Sequence, residues 1–147
     1  MVRYFDSSVI LARLLGQKHD PAIAELWRSA SERLSSSLLR IECLVGVRRA
    51  AAMQSAPVDN RWIRTRVTAL DRVFGGLNFK AVDRSIEEIV RKTSALAECR
   101  TLDAIHLATA LHFRPFVQGA LELVTLDRRM KNLARRLGLT VQPPGEP

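Results

Sequence analysis

Val2-Arg3-Tyr4-Phe5-Asp6-Ser7-Ser8-Val9-Ile10-Leu11 places a carboxylate at the point where one short apolar run hands over to another. Val2 to Phe5 is short, β-branched and aromatic, which reads as a strand. Ser7 or Ser8 is placed to cap a helix that Val9-Ile10-Leu11-Ala12 begins, its hydroxyl accepting from an otherwise unpaired backbone N–H. Asp6 is thereby predicted at the carboxyl end of strand one. In an open α/β sheet that edge is where ligands collect.

Outward from this stretch, strands alternate with helices. Asp20-Pro21 starts an amphipathic helix with Ile23, Leu26, Trp27 and Ala30 at i, i+3, i+4, i+7. Leu38-Leu39-Arg40-Ile41-Glu42-Cys43-Leu44-Val45 reads as a short strand or extended turn, then a helix to about Ala52. Trp62 to Phe74 is helical, with Ile63, Val67, Leu70 and Phe74 on one face, and Gly75-Gly76 stops it by accepting a left-handed backbone. Leu77 to Val82 reads as a strand, and Asp83 caps a helix that buries Ile86, Ile89, Val90 and Ala97. Thr101 caps the next helix, Thr101 to Leu111, apolar nearly all round and therefore buried. Leu121 to Leu126 is a strand, Asp127 opens a last helix that ends at Gly138, and Leu139-Thr140-Val141 is a final strand. Such alternation predicts a parallel sheet covered on both faces. Residues 1–142 form one domain in this reading, and 143–147 a short disordered tail.

A chain of 147 residues, 47% hydrophobic and 26% charged, has the composition of a globular protein with a substantial core. No apolar run approaches the roughly 20 residues that span a bilayer, and the N-terminus lacks the layout of a secretion signal, so the cytoplasm is expected. The cysteines, Cys43 and Cys99, have no partner at metal-ligand spacing and read as small core residues. An excess of 23 Lys and Arg over 15 Asp and Glu, a net charge of +8, favours contact with a polyanion such as nucleic acid or with an acidic protein.

Four acids break the apolar segments: Asp6 after Tyr-Phe, Glu42 in Ile-Glu-Cys-Leu-Val, Asp103 in Leu-Asp-Ala-Ile and Asp127 after Val-Thr-Leu. An ionised carboxylate buried alone is costly, so each needs a partner, and one shared cation would satisfy all four. Asp6 and Asp127 each follow a strand, Asp103 and Asp127 fall in first helical turns where the backbone dipole favours negative charge, and Glu42 is long enough to reach inward. Oxygen ligands without His or Cys suit Mg²⁺ or Mn²⁺. Such a metal in a basic protein suits phosphodiester hydrolysis: it deprotonates a water, orients the scissile phosphate and stabilises the leaving oxygen. The plainer readings are a helix cap for Asp6, first-turn dipole partners for Asp103 and Asp127, and an ion pair with Arg40, Arg48 or Arg49 for Glu42.

Phe-Asp-Ser-Ser-Val-Ile-Leu, Arg-Ile-Glu-Cys-Leu, Thr-Leu-Asp-Ala-Ile-His-Leu-Ala-Thr-Ala and Leu-Val-Thr-Leu-Asp, in that order, resemble the PIN domain and, among PIN domains, the VapC-type toxins of bacterial toxin–antitoxin pairs. The resemblance runs over nearly the whole chain. It implies a three-layer α/β/α fold with a mainly parallel central sheet, and a Mg²⁺- or Mn²⁺-dependent endoribonuclease acting on RNA. It also implies a homodimer, a VapB-type antitoxin that blocks the site, and a metal held by Asp6, Glu42, Asp103 and Asp127. The family pattern is less uniform at the last acid.

Thr125 and Ser7 are placed to assist through their hydroxyls, or serve only as a strand-end hydroxyl and a helix cap. His106, one turn after Asp103, invites a general-base role; on a helix apolar all round, a ring bonded to a core carbonyl is the expected state, and a metal-activated water needs no separate base. His19 and His112 read as surface or helix-end residues. Arg61, Arg64 and Arg66, with Arg128, Arg129, Lys131, Arg135 and Arg136, are candidates for phosphate-backbone contacts or a solvated face. Two other readings remain: a non-catalytic PIN-like module that binds nucleic acid or antitoxin, and phosphoryl transfer through Asp6 as nucleophile. The second lacks the acid two residues on that aspartyl phosphatases use.

Overall fold

In β1 (Val2–Phe5) successive side chains leave opposite faces of the sheet, so Tyr4 enters one core and Phe5 another. β4 (Leu121–Val124) does the same, with Leu123 beside Tyr4 and Val124 beside Phe5. Strands apolar on both sides need cover on both sides. The computed structural model, which describes residues 1–16 and 20–143, with Asp20 by its backbone alone, has that cover. α1 (Ser7–Leu14), α2 (Asp20–Arg28), α3 (Leu38–Ala52) and α4 (Asn60–Gly75) pack with Phe5 and Val124. α5 (Arg84–Lys92), α6 (Thr101–Phe113) and α7 (Arg128–Arg136) pack with Tyr4 and Leu123. The three-layer α/β/α arrangement is therefore as expected.

With β2 (Glu32–Ser36), β3 (Asn78–Lys80) and β5 (Thr140–Gln142), the sheet has the order β3-β2-β1-β4-β5, every pairing parallel. The chain builds outward from β1 on one side, then crosses through α5 and α6 to build outward on the other. The order reverses between β1 and β4, and a crevice opens at the carboxyl ends of strands where such a reversal occurs.

Several local expectations are corrected. The strand before α3 lies at Glu32–Ser36, and Leu38–Val45, read as extended, is already helix. α1 is capped by Asp6, not by Ser7 or Ser8, and α7 by Asp127, which precedes the first turn. Thr101 is the first residue of α6 and makes no side-chain cap. Gly76, which ends α4, has φ −96°, outside the left-handed region; Gly138, past α7, does adopt it at φ +77°. α5 ends at Lys92, leaving Ala97 exposed in a 3-10 turn over Ser94–Glu98. Cys43 is buried and Cys99 half-buried, both as free thiols. The expected tail beyond Pro143, His19 and the side chain of Asp20 lie outside the described residues.

Candidate active site at the carboxyl edge of the sheet

Asp6 is where β1 becomes α1, and its carboxylate is tied down by three neutral neighbours. The Ser7 N–H donates to Oδ1 at 2.7 Å, the Ser8 hydroxyl to Oδ2 at 2.6 Å and the Thr125 hydroxyl to Oδ2 at 2.9 Å. Those hydroxyls are themselves held, Ser8 Oγ accepting from the Leu126 N–H at 3.1 Å and Thr125 Oγ1 from the Asp127 N–H at 3.1 Å. The residue after β1 is thus stitched to the residues after β4, across the reversal of strand order. The Ser7 hydroxyl adds a longer hydrogen bond to Oδ1 at 3.4 Å.

Glu42, in the second turn of α3, reaches back to the same point. Its Oε2 lies 2.6 Å from His106 Nε2, which is 3.7 Å from Asp6 Oδ1. One ligand atom each from Asp6, Glu42 and His106 fall within 4.8 Å of one another. His106 was expected on a core carbonyl; instead its ring is fixed between Glu42 and the Tyr4 hydroxyl, 2.7 Å from Nδ1. The available signal was the three-residue spacing from Asp103, which puts both on one face of α6. Burial would lower the His106 pKa, but the hydrogen bond to Glu42 and the charges of Asp6, Glu42 and Asp103 raise it. Burial first, then the charge of Asp6, pushes the Tyr4 phenol well up. Burial, Glu42 and Asp6 push the Cys43 thiol up to about 12.

Asp103 and Asp127 stand outside this tight trio. The Asp103 carboxyl is raised by burial and by the negative charges of Asp127 and Asp6, against a smaller lowering from Arg100 and His106. Asp127 Oδ1 accepts from the Met130 N–H at 2.8 Å. Among the described residues, none of the four acids has a lysine or arginine ion-pair partner. Glu42 in particular pairs with none of Arg40, Arg48 and Arg49; the Arg40 guanidinium lies over the Phe74 and Phe79 rings.

The basic residues nominated for RNA divide. Arg128 and Arg129 are exposed beside Asp127, while Lys131 is buried, its Nζ donating to the Pro143 carbonyl at 2.9 Å. Arg136 pairs with Glu98 at 2.5 Å. Arg66 stacks on Trp62 at 3.6 Å, and Arg61 and Arg64 line a shallow groove of about 520 Å³ on α4 with Thr65, Thr68 and Arg72.

The donor set suits a hard divalent cation. Asp6 and Glu42 offer oxygens beside the His106 ring, Asp6 is only 4% exposed, and among the described residues neither acid has a lysine or arginine ion-pair partner.

The model of the PIN domain matches residues 3–136. Ribonuclease VapC46 of Mycobacterium tuberculosis is 31% identical over 148 residues, 96% of each chain, and Ribonuclease VapC35 of the same organism is 28% identical over 149 residues, 97% of each. A toxin–antitoxin complex from Klebsiella pneumoniae matches with TM-score 0.63 at 19% identity, covering 88% of this chain and 89% of that one. VapBC2 from Rickettsia felis, bound to a DNA fragment from its promoter, matches with TM-score 0.66 at 13% identity, covering 97% and 98%. With the site at the strand reversal and a family match over nearly its full length, the chain belongs to the PIN-domain family and is of the VapC type.

Proposed function

We propose that this protein is a toxin endoribonuclease that uses a divalent metal, Mg²⁺ or Mn²⁺, to hydrolyse RNA phosphodiester bonds and is held inactive by a VapB-type antitoxin. The observation that carries the reading is the buried Asp6, within 4.8 Å of Glu42 and His106 ligand atoms and without a lysine or arginine ion-pair partner among the described residues. The ribonuclease names of the relatives and the toxin–antitoxin structures support the substrate class and the partner. Cytoplasmic location and a homodimer belong to the same reading; among the described residues no helix is long and apolar enough to cross a membrane.

In this mechanism Asp6 and Glu42 would hold the metal, with Asp103 and Asp127 adding negative charge to the pocket. When bound, the metal supplies a Lewis acid that polarises the phosphodiester and makes water a better nucleophile. Ser7, Ser8 and Thr125 keep Asp6 in one orientation, so the ligand oxygens are preorganised. Exposed Arg128 and Arg129, beside Asp127, contact the RNA backbone, giving affinity without sequence choice.

Purified protein on total RNA tests this. Cleavage is expected with added Mn²⁺ or Mg²⁺ and not with EDTA, and Asp6→Asn or Asp103→Asn is expected to lose about 10³-fold while keeping the wild-type circular dichroism. Equal cleavage by variant and wild type removes those residues from the mechanism. Retardation of RNA without shortening makes the protein the non-catalytic binding module instead.

A further inference from the structure

The structure carries a second layer of information about Glu42. Asp6 receives three short hydrogen bonds, whereas Glu42, half-buried on a long side chain in the second turn of α3, is held among the described residues by His106 alone. A carboxylate has no proton to give, so the proton in that 2.6 Å contact sits on Nε2 whether the ring is neutral or charged. The other nitrogen is also engaged. Tyr4 Oη accepts from the Ser36 N–H at 3.1 Å and faces Nδ1 at 2.7 Å. Its own proton is therefore free to go to Nδ1 of a neutral ring, which fixes Nε2–H as the tautomer.

We propose that His106 is a positioning residue, not a ligand: its Nε2–H holds the Glu42 carboxylate beside Asp6, and the Tyr4 hydroxyl holds the ring in the orientation and tautomer that make this possible. Both nitrogens are spent on hydrogen bonds, leaving no lone pair facing the acids. The ring is 99% shielded on its side chain and lies edge-on to Tyr4 with centroids 5.9 Å apart, so it has one place to be. α6 thus supplies Asp103 to the pocket and, one turn on, the group that sets a ligand arriving from α3. The inference rests on the metal-nuclease reading for what Glu42 does, but not for how Glu42 is held.

Two measurements separate these. Long-range ¹H–¹⁵N correlation on metal-free protein, with His106 identified from the His106→Gln spectrum, is expected to show Nε2 protonated; in Tyr4→Phe the population with Nδ1 protonated should rise. An unprotonated Nε2 in wild type overturns the proposal regardless of any activity. Mn²⁺ titration followed by electron paramagnetic resonance then reads the consequence. His106→Leu is expected to weaken Mn²⁺ binding 10- to 100-fold, as loss of a group that orients a ligand typically does, and His106→Gln, whose amide donates from nearly the same place, to recover it to within about threefold. Adding His106→Leu to Glu42→Ala should cost nothing further, because the residue acts through Glu42. A further loss in that double variant, or equal loss in the Gln and Leu variants, identifies His106 as a ligand or as packing and overturns positioning. Failure of wild type to bind Mn²⁺ instead overturns the metal reading, and the nitrogen spectrum still judges how Glu42 is held.

Discussion

Two ends of β1 bury charge in opposite ways. In the amino half, Arg3 Nε donates to Glu122 Oε2 on the adjoining strand at 2.6 Å, its Nη1 donates to the Leu26 carbonyl at 2.6 Å and to Ser29 Oγ at 2.7 Å, and Gln142 Nε2 donates to Glu122 Oε1 at 3.1 Å. Positive meets negative and the surrounding polar atoms are used. Three residues on, just past the other end of β1, Asp6 and the Glu42 that reaches it from α3 face each other's charge with only hydroxyl, backbone and imidazole donors. The first arrangement is complete within the chain. The second has a charge surplus that a cation from outside would balance, which is how a site can be told from a structural pair. A fold keeps such a surplus only where function needs it, at a cost in stability.

Breaking the balanced end should give the largest loss of stability. Glu122→Ala leaves Arg3 buried at 8% exposure without its counter-charge, and removal of one partner from a buried pair costs about 3–5 kcal/mol. Thermal denaturation should show a Tm roughly 10 °C lower. Replacing both residues, Arg3→Leu with Glu122→Leu, should recover most of that loss, since a packed apolar pair is often neutral against an ion pair. RNA cleavage at low temperature should be unchanged throughout. A Glu122→Ala protein as stable as wild type would mean the two ends are not energetically different.

Filling the unbalanced end should raise stability by a smaller amount. Mn²⁺ at about 100 times its dissociation constant contributes about 2.7 kcal/mol, or several degrees in Tm. The shift should persist in Glu122→Ala and vanish in Asp6→Asn. Persistence in Asp6→Asn would locate the cation elsewhere and dissolve the contrast.

The same contrast governs what the sequence could disclose. The alternation of Tyr4 and Phe5 and the acids embedded in apolar runs are local signals, and they suffice for the layers, the parallel sheet and the edge at which Asp6 meets Glu42. β2 was misplaced because hydropathy favours Leu38–Val45, whereas the strand buries Ser35 and Ser36. Their polarity is met by neighbours, Ser35 Oγ donating to the Phe5 carbonyl at 2.7 Å and the Ser36 N–H to Tyr4 Oη at 3.1 Å. Arg3 and Glu122 pair across 119 positions, and His106 is held by residues 102 and 64 positions away. No window of sequence contains such partners; only the strand order brings them together.

The smallest expected effect sharpens the comparison through pH. The Asp103 carboxyl is raised, by burial first and then by Asp127 and Asp6, so the folded protein holds that proton more tightly than the unfolded chain does. An acid with a raised folded-state value stabilises when protonated, and that contribution is lost as pH rises from the unfolded value of about 3.9 through the raised one. Metal-free wild type should therefore give up a little stability over this window that Asp103→Asn, with no proton to lose, does not. The two should melt alike in acid, and the variant should melt slightly higher at neutral pH. Asp127→Asn should narrow the gap by removing part of the opposing field. A gap of the same size at every pH, or one of opposite sign, would mean that Asp103 does not share the charge surplus of Asp6, and the unbalanced end of the strand would then stop at Glu42 and His106.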